Sequence, residues 1–221
     1  MNIAEYETAG RAVGFAEDRN RGATDERYPQ LKATCERMSI PIPSDTLLRF
    51  VAFQTRLVRA RSAVLLSSTS LIEAQCLRSC LDPTGMLTIV DTSAAGAQLA
   101  RQALLAGQRK PQARIRSVHT DARTYLTKLN AHDYDVLLVD GDASNYSAAM
   151  ASADRLLHSG GLLFLVDAFN QSSPKGGLPN PADRTEKTVT LRDALAVLQD
   201  SDDFDSVLLP IGGGVALACR K

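Results

Sequence analysis

Four aspartates stand at or just past the ends of apolar runs. Asp91 follows Met86–Val90, Asp140 closes YDVLLVD, Asp167 follows Leu162–Val166, and Asp121 comes just after Ile115–His119. Four apolar residues in a row, Val136–Val139, predict a strand buried on both faces of a parallel sheet. In an open parallel sheet, ligands bind beyond the carboxyl ends of the strands. One strand-end aspartate is an ordinary turn residue. Four of them predict a ligand-binding rim lined with carboxylates, the oxygen donors that hard cations prefer.

A second candidate is the turn Ser67-Ser68-Thr69-Ser70. It lies inside SAVLLSSTSLIEAQCLRSCLDPTGMLTIVD, residues 62–91, which reads as strand, turn, helix, break, strand and acid. That is the layout of the first half of a nucleotide-binding fold. Such a turn normally carries glycines, which let the backbone approach a cofactor. No glycine occurs between Arg61 and Gly85. Hydroxyls and backbone N–H groups ahead of a helix suit a phosphate or carboxylate; a Ser/Thr cluster there is also an ordinary cap.

Other reactive residue types carry less. Cys76 and Cys80 are four apart on a predicted helix with no companion ligands at metal spacing, so they read as packing. His119, His132 and His158 have no zinc spacing, and no Gly-x-Ser-x-Gly motif of a serine hydrolase is present.

The elements that must position these residues follow from periodicity. Residues 1 to about 60 read as a helical layer. Ile3, Tyr6, Ala9, Val13 and Ala16 form a stripe, Pro29 suits the first turn of a second helix, and Ser44 caps a third. Residues 61–221 read as repeated strand and helix units. After Asp91 comes a helix with Gly107 at its end, then Arg123–Leu129, Ala148–Leu157 and Thr190–Leu198 as later helices. Gly160-Gly161 reads as a turn into the strand Leu162–Val166. Gln171–Pro181 is a loop long enough to act as a flap. Phe204–Leu209 and Val215–Cys219, joined by PIGGG, predict an antiparallel hairpin.

Composition narrows the classes. The 221 residues are 44% hydrophobic, enough for a substantial core. Twenty-five basic and 25 acidic residues cancel, and no basic stripe is evident, against nucleic acid as a partner. No apolar run approaches the roughly 18–20 residues of a membrane span. The first ten residues hold acids and no apolar core, unlike a secretory signal. Four cysteines fit a reduced, cytoplasmic setting.

Four stretches together resemble a known family. YDVLLVDGDASNY, LLHSGGLLFLVD, GMLTIVD and VLLPIGGGVALACRK are similar to the fourth, fifth and second strands and the closing hairpin of class I S-adenosylmethionine-dependent methyltransferases. Among these, the chain looks like the cation-dependent O-methyltransferases of the catechol and caffeoyl-CoA type, from about Ser44 to Lys221. The resemblance implies a doubly wound α/β fold with a mostly parallel seven-stranded sheet in the order 3-2-1-4-5-7-6. It implies S-adenosylmethionine as cofactor, a small hydroxylated acceptor and a homodimer. It assigns Asp91 to the ribose hydroxyls, Asp121 and Ala122 to the adenine, and Ser67, Ser68, Thr69 and Asp140 to the rest of the cofactor site. It assigns Asp140 and Asp167 to a divalent ion, Mg2+ or Ca2+.

Three departures accompany this. In the family's acid-x-Gly-Thr-Gly-x-Gly loop, the acid position is Leu65 and the glycine positions are Ser67, Thr69 and Leu71. The family's general-base lysine is Ala143, and the amide ligand after strand five is Ala168. Three readings follow: an O-methyltransferase, a catalytically inactive relative used for binding or dimerisation, or a pocket repurposed for an anion.

Overall fold

The computed structural model of the chain describes residues 3–22, 26–105 and 112–221; Gly107 and the side chains at 3–9 and 105 lie outside it. Three helices come first, α1 (Ile3–Asn20), α2 (Tyr28–Met38) and α3 (Asp45–Leu57). Then follow β1 (Ser62–Ser67), α4 (Leu71–Cys80), β2 (Met86–Asp91), α5 (Ala94–Leu105) and β3 (Arg114–His119). Next are α6 (Ala122–Leu126), β4 (Tyr134–Val139), α7 (Ala143–Met150), α8 (Ala153–Leu156) and β5 (Leu157–Val166). The chain ends with α9 (Glu186–Gln199), β6 (Phe204–Leu209) and β7 (Val215–Arg220).

The seven strands form one sheet in the order β3-β2-β1-β4-β5-β7-β6, as expected. β1 to β5 pair in parallel, and β7 runs antiparallel to both β5 and β6. Alternation along the buried strands builds two cores. Leu65, Leu87, Ile89, Leu138 and Phe164 face α2, α3 and α4. Leu66, Leu137, Val139, Leu163 and Leu165 face α6, α7 and α9. Each such leucine contributes roughly 1.5–3 kcal/mol on burial. Of the N-terminal helices, α2 and α3 thus supply cover to one face of the sheet, where the Phe50 and Phe164 rings meet edge to face at 6.3 Å. Ser44 caps α3 as predicted, its Oγ accepting from the Leu47 N–H at 3.0 Å.

Several expected boundaries are corrected. β5 begins at Leu157, so Gly160-Gly161 lies within the strand. A Cβ at residue 161 would come within 2.9 Å of the His158 carbonyl, so glycine there serves close packing. The helix after β4 begins at Ala143 rather than Ala148 and breaks at Ala151-Ser152 before α8. The final helix begins at Glu186 rather than Thr190, and α6 spans Ala122–Leu126 rather than 123–129.

The loop 171–181 is pinned at one end. Asp183, fully buried, accepts hydrogen bonds from Ser173 Oγ, the Gly177 N–H, the Thr185 N–H and Thr185 Oγ1. Burial works to raise its carboxyl, but those four donors together outweigh it and hold the group well below the usual carboxylate range. Among the described residues no helix is long and apolar enough to cross a membrane.

Candidate functional site

The sheet reverses its strand order at β1, which lies between β2 and β4. A crevice for ligands is expected at the carboxyl end of such a strand. The Ser67–Ser70 turn sits there, and its three serine hydroxyls are spoken for by neighbouring acids. Ser67 Oγ donates to Asp91 Oδ2 at 3.3 Å, Ser68 Oγ to Asp142 Oδ2 at 3.2 Å, and Ser70 Oγ to Asp140 Oδ2 at 2.7 Å. Ser70 therefore does not cap α4 with its side chain; a carboxylate is the stronger acceptor partner for its hydroxyl.

Asp91 is wholly enclosed. Its Oδ2 also accepts from the Thr69 N–H at 2.8 Å, and its Oδ1 from the Ser93 N–H at 2.7 Å. It ties the turn after β1 to the turn after β2. Gly96 makes room for this, since a Cβ there would lie 2.6 Å from both Asp91 Oδ2 and Thr69 Oγ1.

Thr69 keeps the backbone conformation of a glycine position. Its φ is +72°, a left-handed value that a β-branched residue rarely adopts. Such strain costs on the order of 1–2 kcal/mol. Thr69→Gly is expected to raise stability by about 1 kcal/mol or less, the relieved strain being partly offset by added unfolded-state entropy. Urea unfolding measures it; a loss above about 1 kcal/mol would contradict the strain.

Asp121 and Ala122 lie one strand away. Asp91 is the register partner of His119 on β3, and its carbonyl accepts from the Thr120 N–H. Asp121 caps α6 by accepting from the Thr124 N–H at 2.9 Å and is exposed; Ala122 is buried. Asn145, on α7, donates to the Asp140 carbonyl at 2.8 Å and leaves its buried Oδ1 without a partner.

Asp140 and Asp167 leave adjacent strands, but each carboxylate has its own protein partner. Asp167, at φ +51°, pairs with Lys187 Nζ at 2.9 Å, and that ammonium lies 5.3 Å from the Tyr146 ring centre. Lys187 comes from the first turn of α9. The Tyr146 hydroxyl donates to the Val166 carbonyl at 2.6 Å, which fixes the ring under the ammonium.

A divalent ion does not fit this arrangement. The Lys187 ammonium already holds Asp167 Oδ2, and a divalent ion on that carboxylate would have to displace it. Ala168 is fully buried and offers no donor, and among the described residues no three His, Cys, Asp or Glu side chains converge as ligands. The ion set expected from Asp140 and Asp167 is therefore not assembled.

Sequence reasoning passed over two residues. Lys187 gave no local signal, because its partner lies twenty positions earlier. Glu73 gave one: an acid in a helix otherwise rich in apolar residues. It is buried in the first turn of α4, facing a narrow apolar cleft with Leu47, Leu48, Val51, Cys76, Leu138 and Val166. Burial, with the nearby Asp140 charge adding to it, pushes its carboxyl up to about 8. Cys76 and Cys80 are free thiols in the core, as read; Cys76 is pushed up by its contact with Cys80 and by burial, so it is no reactive thiolate.

An open sheet in this order with a carboxylate rim at its switch point is a methyltransferase architecture, and comparison with known proteins agrees. A family model for O-methyltransferases matches residues 31–221. The chain belongs to the O-methyltransferase family. A protein of Mycobacterium sp. strain JLS that carries an O-methyltransferase name is 25% identical over 165 residues, 75% of this chain and 73% of its own. A Mycobacterium tuberculosis protein, also named as an O-methyltransferase, is 29% identical over 62% of this chain; the match spans 58% of that relative's length. Among solved structures, an O-methyltransferase from Bacillus cereus in complex with SAH matches with a TM-score of 0.78 at 15% identity, over 96% of this chain and 97% of its own. TomG, an O-methyltransferase from Streptomyces achromogenes in complex with SAM, matches with a TM-score of 0.71 at 16% identity, over 90% and 91%. At these identities the likeness concerns the fold.

Proposed function

We propose that the chain binds S-adenosylmethionine at the carboxyl rim and transfers its methyl group to the oxygen of a small hydroxylated acceptor. The observation that carries this is the rim itself: the turn 67–70 is drawn onto Asp91 and Asp140 at the switch point, with Asp121 one strand away. The SAH and SAM held by the similar folds of known structure support the choice of cofactor. Asp91 would hold the ribose hydroxyls through the remaining lone pair of Oδ1, which requires the Ser93 turn to open. Asp121 and Ala122 would flank the adenine. In the reaction the acceptor oxygen bonds to the methyl carbon, the carbon–sulfur bond breaks, and its electron pair stays on sulfur. The hydroxyl proton leaves to solvent. Holding donor and acceptor in line supplies much of the rate.

The relatives carry O-methyltransferase names, which gives no support to a non-catalytic role in binding or dimerisation. A homodimer belongs to the same proposal; Phe53 and Leu57, exposed one turn apart on α3, support it. The test is transfer of labelled methyl from S-adenosylmethionine to a panel of catechols and other phenols. Label in the acceptor, dependent on Asp121, is expected. No transfer to any acceptor by protein saturated with the cofactor would overturn the reading.

A further inference from the structure

We infer that the ammonium of Lys187 replaces a divalent ion at the acceptor end of this site and is the cation that meets the acceptor oxygen. The inference rests on the methyl-transfer reading above. Asp167 sits where the resemblance implies an ion, yet its Oδ2 is bonded to Lys187 Nζ at 2.9 Å. The ammonium is held from two sides, by that carboxylate and by the Tyr146 ring at 5.3 Å. Its side chain remains 21% exposed, so it is neither sealed in the core nor free in solvent.

An ammonium carries three donors. One goes to Asp167 and one side covers the ring, which leaves a donor for a ligand oxygen. The same chain lacks the amide ligand, at Ala168, and the lysine after β4, at Ala143. One resident positive charge offsets both losses. It can stabilise the acceptor's oxygen anion by a charge-assisted hydrogen bond, as a bound divalent ion would by its own charge. α9 and the β6–β7 turn fix it. A Cβ at residue 213 would lie 2.6 Å from Asp167 Oδ1, so this glycine admits the carboxylate to its place beside the lysine.

Two measurements test this. The first is calorimetric titration of the purified protein with Mn2+, which needs no turnover. No binding at millimolar Mn2+ is expected; micromolar binding that Asp167→Asn abolishes would overturn the inference. The second uses protein saturated with S-adenosylhomocysteine and nitrocatechol as the probe, with its absorbance reporting ionisation. Wild type is expected to bind the probe as its anion. Lys187→Met should weaken binding by about tenfold or more, the size of one charge-assisted hydrogen bond, and Lys187→Arg should retain most of it. Equal affinity and an equal spectrum in wild type and Lys187→Met would overturn it. Failure to bind S-adenosylhomocysteine at all would instead count against the methyl-transfer reading, which the Mn2+ result does not share.

Discussion

Asp91→Ala is expected to lower the unfolding free energy by about 3–5 kcal/mol, since each buried donor left without its acceptor costs about 1–3 kcal/mol. Three donors converge on this enclosed carboxylate: the Thr69 and Ser93 N–H groups and Ser67 Oγ. Alanine leaves all three without their acceptor in a space too small to hydrate freely. It also releases the turn after β1 from the turn after β2. In a chain of this size the melting temperature should fall by roughly 8–15 °C. Asp91→Asn is expected to lose less, because one amide oxygen still accepts while the NH2 group faces a donor. Asp121→Ala provides the contrast, since it removes one exposed helix cap worth about 0.5–2 kcal/mol. Urea unfolding of the three variants checks the ranking. A cost for Asp91→Ala no larger than that for Asp121→Ala would mean that the carboxylate does not tie the rim together.

The second large effect concerns Glu73 and changes sign with respect to the usual surface acid. In the unfolded chain its carboxyl titrates near 4.5, and in the folded protein burial holds the proton on until about 8. Between those values the unfolded chain has lost a proton that the folded protein still binds. Stability therefore falls as pH rises through this window, and the whole penalty is present above about 8. It amounts to on the order of 5 kcal/mol when no water reaches the carboxylate, and to less when water does. Glu73→Gln removes the titration. The variant should match wild type below about pH 4.5 and melt up to roughly 10 °C higher near pH 8. His158, raised by its hydrogen bond to Asp135, loses its own stabilisation as pH rises through its titration. The difference between the two proteins at each pH isolates Glu73. Parallel melting curves across the range would contradict a buried, proton-holding carboxyl.

The strands were legible because burial on both faces writes itself as uninterrupted apolar runs, as in Val136–Val139. The cap at Ser44 was legible because capping is local. The strand order came from the family resemblance, not from periodicity. What failed was set by tertiary context. Ala143-Ser144-Asn145 is a weak helix start, yet α7 begins there, and Asn145 and Tyr146 at its start are fully buried. Gly160-Gly161 looked like a turn but lies in β5, where the backbone at Gly161 packs too closely for a side chain and Gly160 takes a left-handed φ of +83°.

The rim divides the same way. Its acids were legible as strand ends. Their partners were not, because Ser68 with Asp142 and Ser70 with Asp140 are joined across about seventy residues. The missing glycines suggested a loop that would crowd a cofactor. The folded chain keeps a left-handed backbone at Thr69 and turns the hydroxyls of Ser67, Ser68 and Ser70 onto carboxylates instead. The expected ion site depended on two acids being free together, and Lys187 decides otherwise.

The most direct measurement of the central claim is calorimetric titration of the purified protein with S-adenosylhomocysteine, in the absence of divalent ions. Micromolar binding is expected, and Asp121→Ala should weaken it while the protein stays folded. No heat of binding at millimolar ligand, from protein with an intact melting transition, would contradict a cofactor site at this rim.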